Sequence, residues 1–177
     1  MKFQNKKDLE DWYKVSDPWG YEKNKDDLIR KKILLSEIPN REYVNVLDIG
    51  CGEGFITKEL PGEKILGVDI SENAISFAKE NIGSPRIEFL SCDLFDLPNK
   101  VEIKFDLIII TGVLYSQYIG NSNSLIYLII DQLLKKNGVL VSVHIDEWYK
   151  SRFPYLLINE YYYSYREYSH ILEVYQK

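Results

Sequence analysis

The sequence predicts an α/β fold, a doubly wound and mostly parallel sheet with helices on both faces, and three observations favour it. Between residues 44 and 145, short apolar runs alternate with helical patterns, and strands joined by helices form parallel sheets. The runs "VLDIG" and "DLIII" are apolar almost throughout, as in strands that are covered on both faces. Near the end, only three residues separate "YYYSYR" from "HILEVYQK". That connection is too short for a crossover helix, so we expect an antiparallel hairpin at one sheet edge.

The first predicted elements follow an N-terminal segment, residues 1–40, which we expect to be helical. "VNVLDIG" is the first strand, because its apolar run is bounded by polar residues and glycine. A short helix is predicted from about Phe55 to Leu60, since Pro61 and Gly62 would end it. "KILGVDI" is the second strand.

The remaining elements continue the alternation. Ser71 is a suitable N-cap for the helix "ENAISFAKENI", and "RIEFLS" and "FDLIIIT" are the third and fourth strands. "NSLIYLIIDQLLKKNG" is an amphipathic helix that ends in two lysines and a glycine, and "VLVSVHI" is the fifth strand. We therefore expect a single domain, residues 1–177, with a core over 44–145 and an edge hairpin within 146–177.

Composition and charge exclude some classes of function. A net charge of −5 argues against broad binding to nucleic acid, which needs a basic surface. Two cysteines, Cys51 and Cys92, show no pairing pattern, so we expect reduced thiols and a cytoplasmic protein. No apolar stretch reaches the roughly 20 residues that span a bilayer, so no membrane contact is expected. A local basic run is expected to be the solvated face of a helix: Lys23, Lys25, Arg30, Lys31 and Lys32.

The stretch "DIGCGEGF", residues 48–55, is a glycine-rich turn after the first strand, where open parallel sheets bind ligands. Its glycines are spaced G-x-G-x-G, so Phe55 stands where a dinucleotide fingerprint has its third glycine, and no P-loop is present. Asp48 and Glu53 would each repel a pyrophosphate by about 1 to 4 kcal/mol at about 4 Å. They suit a ligand with cationic groups and no phosphate. S-adenosylmethionine, with its sulfonium and ammonium groups, is such a ligand.

Two further acids support this ligand. Asp69 ends the second strand about twenty residues after Asp48, where a carboxylate can accept both ribose hydroxyls. Asp93 follows the third strand and can accept the adenine amino group, with Ile70 and Leu94 on either side of the ring. An acid after one strand is commonplace, but acids at three successive strand ends beside a glycine turn indicate a shared site.

These segments resemble the class I S-adenosylmethionine-dependent methyltransferases over roughly residues 44–145. The resemblance rests on "VLDIGCGEGFIT", "LGVDIS", "FLSCDLFDLP", "FDLIIITGVLYS" and "LLKKNGVLVSV". It implies a Rossmann-like, seven-stranded sheet with an antiparallel C-terminal hairpin and the strand order 3-2-1-4-5-7-6. It also implies S-adenosylmethionine as cofactor, with contacts from Asp48, Gly50, Gly52, Asp69, Ile70, Asp93 and Thr111. We add the residues that share these loops: Cys51, Cys92 and Leu94.

The flanking segments favour a small acceptor. "WYKVSDPWGYEKNKDDLIRKKIL" and "YREYSHILEVY" are similar to small-molecule methyltransferases of the nodulation-factor N-methyltransferase type. That resemblance implies an amino sugar, a sugar nucleotide or another precursor of surface polysaccharide as acceptor. The N-terminal aromatic segment would then fold over the cofactor as a lid. The alternative is that Trp12 and Trp19 only dock a terminal helix on the core.

Candidate catalytic and acceptor residues lie where chain ends meet the predicted cleft. Tyr115 follows the fourth strand and His144 ends the fifth, and His144 is the better candidate base because its ordinary pKa is near neutral. A hydrogen-bonded structural role for His144 is the alternative. Adjacent residues at a strand exit rarely converge on a metal, so no metal is expected. Arg166 and His170 would bind an anionic acceptor or pair with glutamates at the edge. The predicted acceptor-binding residues are Tyr13, Trp19, Tyr21, Trp148 and Arg166.

The function predicted from the sequence is methyl transfer from S-adenosylmethionine to nitrogen or oxygen of a small polar molecule. Methyl transfer is an in-line displacement, so positioning supplies much of the rate, and a base is needed only if the acceptor must lose a proton. Two alternatives stay open: an RNA-modifying methyltransferase with the same core, and a non-catalytic cofactor-binding scaffold or partner subunit. The sequence does not indicate an oligomeric state.

Overall fold

The computed structural model describes residues 6–177, which form one seven-stranded sheet with helices around it. The strands are β1 (Asn45–Ile49), β2 (Lys64–Asp69), β3 (Ile87–Ser91), β4 (Phe105–Thr111), β5 (Leu134–Ile145), β6 (Leu156–Tyr165) and β7 (Tyr168–Gln176). The helices are α1 (Lys6–Trp12), α2 (Lys25–Glu37), α3 (Glu72–Asn81), α4 (Leu97–Lys100), α5 (Ser116–Ile119) and α6 (Asn123–Leu133). The first five residues of the predicted N-terminal segment lie outside the described part of the chain.

The strand order is β3-β2-β1-β4-β5-β7-β6, and the predicted fold class is confirmed. β1 pairs in parallel with both β2 and β4, so the order reverses at β1 and opens a crevice beyond the carboxyl ends of β1 and β4. β7 runs antiparallel to both β5 and β6, as the short connection between the last two segments requires.

The sheet is apolar because it is covered on both faces. Leu107 to Ile110 of β4 are fully buried, and their side chains alternate between two clusters of apolar residues, one on each face of the sheet. α2 and α3 contribute to one cluster and α6 to the other. Within residues 6–177, no helix is both long and apolar enough to cross a membrane.

Two predicted element boundaries were wrong. The helix expected from Phe55 to Leu60 is only a single 3-10 turn, Thr57–Glu59. The helix expected to run through "LLKKNG" ends at Leu133, and the next residues begin β5. Local helix propensity loses there because Leu134 pairs with Phe105 and because Asn137 and Gly138 exchange backbone hydrogen bonds of 2.9 and 3.0 Å with Lys177.

The basic run is not a solvated helix face throughout. Lys23, Lys25 and Lys32 are exposed, but Arg30 and Lys31 are only 6% and 7% exposed. Lys31 Nζ lies 2.5 Å from Glu59 Oε1 and 4.1 Å from the centre of the Phe55 ring. α2 therefore turns part of its charged side toward the core and toward the glycine turn, where tertiary partners compensate the cations.

Candidate functional site

The glycine turn after β1 is shaped by three glycines with left-handed backbones. Gly50, Gly52 and Gly54 have φ values of 76°, 53° and 82°. A Cβ on Gly50 would lie 2.2 Å from Val113 Cγ2, and one on Gly54 would lie 2.5 Å from Ile82 Cδ1. The backbone therefore needs glycine for both its conformation and its close contacts, and it forms a bare cradle at the end of β1.

Asp48 places a buried carboxylate directly behind this cradle. It is 1% exposed, and its Oδ2 accepts a hydrogen bond of 2.6 Å from Thr57 Oγ1. Its Oδ1 is buried without a partner among the described residues, and burial raises the pKa of the carboxyl to about 6. An unpaired buried acceptor is costly, so the turn fits a ligand that brings a hydrogen-bond donor or a positive charge.

Asp69 joins the end of β2 to the glycine turn. Its Oδ2 accepts from the Gly52 amide and its Oδ1 from the Ser71 amide, both at 2.9 Å. Burial raises the pKa of this carboxyl, and the backbone amides act against the rise. The bonds fix the carboxylate at the strand end, where each oxygen keeps a further lone pair for a ligand hydroxyl.

The loop after β3 lies beside Asp69, as predicted. The Cys92 amide donates to the Asp69 carbonyl at 2.9 Å, and Asp93 Oδ1 accepts from the Phe95 amide at 2.9 Å. Leu94 is buried, whereas Ile70 is half-buried. The three predicted acid loops thus share one edge of the sheet, since their strands are parallel neighbours.

The other predicted donor contacts complete the same edge. Thr111 ends β4, and its carbonyl oxygen would lie 3.6 Å from a Cβ on Gly50. Cys51 and Cys92 carry free thiols, and burial raises the pKa of both. Both thiols are therefore neutral at ordinary pH, in keeping with packing rather than nucleophilic chemistry.

Glu53 has a different partner from the one predicted. The N-terminal strap, residues 13–24 between α1 and α2, passes over the glycine turn. Glu53 Oε2 accepts from Ser16 Oγ at 2.5 Å, and Oε1 accepts from the Asp17 amide at 2.6 Å. The Asp17 carboxylate accepts in turn from the amides of Tyr21 and Glu22 at 2.7 and 3.2 Å. Glu53 thus holds the strap down, and its interaction with a cationic ligand stays a prediction.

We expect Glu53→Gln to loosen the strap. The amide keeps one acceptor oxygen but loses the charge, so one of the two bonds weakens by about 1 to 2 kcal/mol. Hydrogen exchange of the Asp17 amide should become about 10-fold faster. Glu63→Gln, at an exposed glutamate before β2, is the matched control and should leave that exchange rate unchanged. Equal rates in wild type and Glu53→Gln would show that Glu53 does not retain the strap.

The strap brings its aromatic residues onto the turn. The Tyr13 hydroxyl lies 2.9 Å from the position of a Cβ on Gly52, and Trp19 Nε1 donates to that hydroxyl at 3.1 Å. The Trp12 ring also packs against Trp19, tilted by 38°, with ring centres 5.1 Å apart. A cavity of about 280 Å³ lies between the strap and the turn, lined by both. Tyr13 and Trp19, predicted to bind the acceptor, are therefore placed over the donor side of the cleft.

Tyr115 and Trp148 form an aromatic wall beyond β4 and β5. The Tyr115 hydroxyl accepts from the Ile145 amide at 2.9 Å, and burial raises its pKa to about 12. The Trp148 ring packs edge-on against Tyr115 at 5.3 Å and against Tyr168 at 5.1 Å. Tyr115 is therefore protonated at neutral pH and positioned by backbone, which suits orienting a substrate better than removing a proton.

His144 lies apart from the strap and the glycine turn. It lines a separate cavity of about 220 Å³ with Arg152 and Glu173, and its Nδ1 is 3.3 Å from Ser142 Oγ. Burial lowers its pKa to about 4. The folded chain does not keep the ordinary, near-neutral pKa of histidine at this position, because the imidazole is desolvated. A catalytic role for His144 stays a prediction.

The lowered pKa predicts a loss of stability in acid. The unfolded imidazole takes up a proton as the pH falls through about 6.5, whereas the folded one does so only near pH 4. Between pH 7.5 and 5, His144 should remove about 2 kcal/mol from the free energy of unfolding. Urea unfolding at both pH values should show a smaller fall in His144→Gln than in wild type. The same fall in both proteins would contradict the burial of a neutral imidazole.

Arg166 and His170 occupy the hairpin that covers α2. Arg166 donates to Asp27 Oδ2 at 2.8 Å and to the Trp19 carbonyl at 3.2 Å, so it joins the hairpin to the strap. His170 stacks on Tyr165 with ring centres 4.1 Å apart. The partner of Arg166 is thus an aspartate on α2 and not an edge glutamate, and acceptor binding by Arg166 stays a prediction.

Asp27 and Arg30 were missed as site candidates. Both are buried, and the sequence carried a signal for it, because Asp27, Arg30, Lys31 and Leu34 recur at helical spacing on one face of α2. Tyr21 was predicted to bind the acceptor, and the centre of its ring lies 5.1 Å from the Arg30 guanidinium. Among residues 6–177, no group of three or more His, Cys, Asp and Glu side chains is arranged to hold a metal ion.

Comparison with protein families gives one match over most of the chain. The family described as a methyltransferase domain matches residues 40–171. A malonyl-[acyl-carrier protein] O-methyltransferase of Acetivibrio thermocellus is 25% identical over 152 residues, which are 82% of this chain and 48% of that protein. A ribosomal protein L11 methyltransferase of Dictyoglomus turgidum is 33% identical over 106 residues, 57% of this chain and 32% of that protein. The chain spans about half or less of these relatives.

Solved structures share the fold at low sequence identity. The N-methyltransferase NodS from Bradyrhizobium japonicum, in complex with S-adenosylhomocysteine, superimposes with a TM-score of 0.81 at 19% identity over 97% of each chain. The magnesium protoporphyrin IX methyltransferase ChlM from Synechocystis, with bound S-adenosylmethionine, gives a TM-score of 0.71 at 19% identity over 99% of each chain.

Proposed function

Because the chain belongs to the methyltransferase domain family, we propose that it transfers the methyl group of S-adenosylmethionine to nitrogen or oxygen of a small polar acceptor. Amino sugars, sugar nucleotides and phosphorylated precursors of surface polysaccharide are the acceptor classes to test first. A cytoplasmic location, favoured by the two free thiols, is part of the proposal.

The residues at the strand ends fit the donor. The unpaired Asp48 Oδ1 and the bare glycine cradle suit a cationic amino acid moiety, and Asp69 and Asp93 keep lone pairs for ribose and adenine. When bound, S-adenosylmethionine supplies a methyl group on a positively charged sulfur that leaves as a neutral thioether. The protein then has to orient the acceptor and exclude water, which Tyr115, Trp148 and the strap can do.

The position of the strap is the observation that supports a small acceptor. The strap is held to the glycine turn by Glu53 and to the hairpin by Arg166, and the Tyr13 hydroxyl lies over Gly52, so it roofs the part of the cleft next to the glycine turn. An acceptor beneath such a roof has to be small or to present a thin end. A net charge of −5 also disfavours RNA.

A second candidate is methylation of a protein side chain or of a carrier-bound acyl group. The relatives named for ribosomal protein L11 and for malonyl-acyl carrier protein favour it. A thin acceptor end would pass under the strap in that case as well.

The experiment is methyl transfer from S-adenosylmethionine labelled in its methyl group, with calorimetric titration of S-adenosylhomocysteine beside it. Label should transfer to at least one amino sugar, sugar nucleotide or sugar phosphate. Transfer only to ribosomal protein, acyl carrier protein or RNA would replace the acceptor class. Micromolar donor binding with no transfer across all arms would favour a non-catalytic scaffold, and no donor binding by folded protein would overturn the cofactor assignment.

A further inference from the structure

A buried positive charge lies under the strap, between α2 and the hairpin. Arg30 is 6% exposed, and its NH2 group donates to Asp27 Oδ1 at 3.1 Å. Its Nε is buried with no hydrogen-bond partner among the described residues. Native proteins leave few buried donors unpaired, so this one needs an explanation.

The counter-ion of Arg30 is shared. Asp27 is fully buried, and it also accepts from Arg166 at 2.8 Å and from the Tyr165 hydroxyl at 2.8 Å. Two guanidinium groups thus lie on one carboxylate, which leaves a net charge of +1 in the cluster. His170 does not change this sum, because burial, together with the charge of Arg30, lowers its pKa to about 3.

Aromatic rings from two distant parts of the chain lie against Arg30. Its guanidinium lies 5.1 Å from the ring centre of Tyr21 in the strap and 5.5 Å from that of Tyr165 in β6. The charge of Arg30 also opposes the rise that burial causes in the pKa of Tyr115, beyond β4, and of Asp48, in β1. Tyrosines from the strap and from the hairpin thus cover the buried charge.

We infer that Arg30 anchors the acceptor by binding an oxygen acid on it, a carboxylate or a phosphate, with Nε as one of its donors. This inference rests on the proposed function and adds the charge class of the acceptor. A guanidinium fork matches two oxygens of such a group, and the site carries one positive charge more than Asp27 neutralises. Acceptors without an anionic group would leave Nε unpaired.

Access to Arg30 requires the strap to move. Tyr21 covers the guanidinium, and the polar contacts that hold the strap are exposed or half-buried and lie near its middle, from Glu53 to Asp17 and from Arg166 to the Trp19 carbonyl. These polar contacts can exchange with water at modest cost, unlike the apolar packing of the sheet. The acceptor would therefore enter on opening of the strap, and its oxygen acid would meet Arg30 as Tyr21 withdraws.

The test reads Arg30 directly in the full chain. Nuclear magnetic resonance of the arginine Nε–H groups is recorded during titration with inorganic phosphate and, separately, with acetate, at constant ionic strength set by chloride. The Arg30 signal is identified by its loss in Arg30→Lys. We expect this signal to shift and saturate in at least one of the two titrations, with a midpoint on the order of 1 mM or tighter. The anion that binds more tightly then indicates whether the acceptor group is a phosphate or a carboxylate.

Arg41 is the internal control. It also lies over a tyrosine ring, 5.1 Å from the centre of Tyr43, but it is exposed and donates to the carbonyls of Asp106 in β4 and Asn137 in β5. Its Nε–H signal should drift without saturating. Calorimetric titration of the effective anion into Arg30→Lys should show at least about 10-fold weaker binding, and Arg41→Lys should match wild type.

The outcomes separate this inference from the proposed function. If S-adenosylhomocysteine binds but the Arg30 signal does not shift in either arm, the anchor is overturned and the donor assignment stands. If S-adenosylhomocysteine does not bind, the same titrations of the free protein still decide whether Arg30 takes an oxygen acid. An equal shift of Arg30 and Arg41 would mean non-specific ion association and would also overturn the anchor.

Discussion

Replacing Asp69 by alanine is expected to weaken binding of S-adenosylhomocysteine by about 100-fold or more. We propose that this carboxylate accepts two ribose hydroxyls, and hydrogen bonds to a charged group contribute about 1.5 to 3 kcal/mol each. The substitution also removes the bonds from the Gly52 and Ser71 amides, so the glycine turn loses its tie to the end of β2. Donor contacts and the shape of the cradle are lost together.

The measurement is calorimetric titration of wild type, Asp69→Ala and Asp69→Asn, with circular dichroism to show that each is folded. Asparagine keeps the size and one acceptor oxygen, so its loss should fall between the other two. Asp96→Ala, at an exposed acid in the next loop, is the matched control and should bind as wild type does. Unchanged affinity in folded Asp69→Ala would remove Asp69 from the donor site.

The arrangement of acids and glycines at the strand ends was predictable because its signals are local. Each of Asp48, Asp69 and Asp93 lies at or next to the end of a strand that its own apolar run identifies, and parallel pairing brings those ends together. The glycine turn is similarly encoded in eight consecutive residues, 48–55. No distant contact is needed to infer such an arrangement.

The strap and the hairpin, where acceptor residues were predicted, depend on contacts that join distant parts of the chain. Glu53 meets Ser16 across 37 residues, and Arg166 meets Asp27 across 139. Nothing in the local sequence around Glu53 distinguishes a clamp for the strap from a ligand contact. The pKa of His144 is likewise set by burial, which only the assembled sheet determines.

The boundary between α6 and β5 also depends on distant contacts that the local sequence does not reveal. "LLKKNG" has the lysines and glycine that usually end a helix, and the prediction placed the end at the glycine. Pairing of Leu134 with Phe105, and of the Asn137 and Gly138 backbone with Lys177, extends the strand instead. Tertiary hydrogen bonds outweigh propensities of a few tenths of a kcal/mol per residue.

Replacing Gly50 by alanine is expected to lower the free energy of unfolding by about 4 kcal/mol. A left-handed backbone costs an L-residue about 1 to 2 kcal/mol, and overpacking costs about 1 to 3 kcal/mol more. Gly50 has a φ of 76°, and its added Cβ would lie 2.2 Å from Val113 Cγ2, so both terms apply. Gly112 is the matched control: its φ is 67°, but a Cβ there would meet nothing within 4 Å. Urea unfolding measures both variants. Gly112→Ala should lower the free energy of unfolding only by the cost of the left-handed backbone.

A double-mutant cycle separates the clash from the strain. Val113→Ala removes the methyl group that the new Cβ would strike, so Gly50→Ala should be less destabilising in that background by about 1 to 3 kcal/mol. The backbone term should persist, since φ at residue 50 is fixed by the amide bonds from Gly50 and Cys51 to the Val68 carbonyl at 2.8 and 3.0 Å. Strictly additive effects would mean that the turn moves away from Val113 without cost. A cradle that moves so freely would not be preorganised for the donor, and the tight binding expected of the wild type would then lack its structural cause.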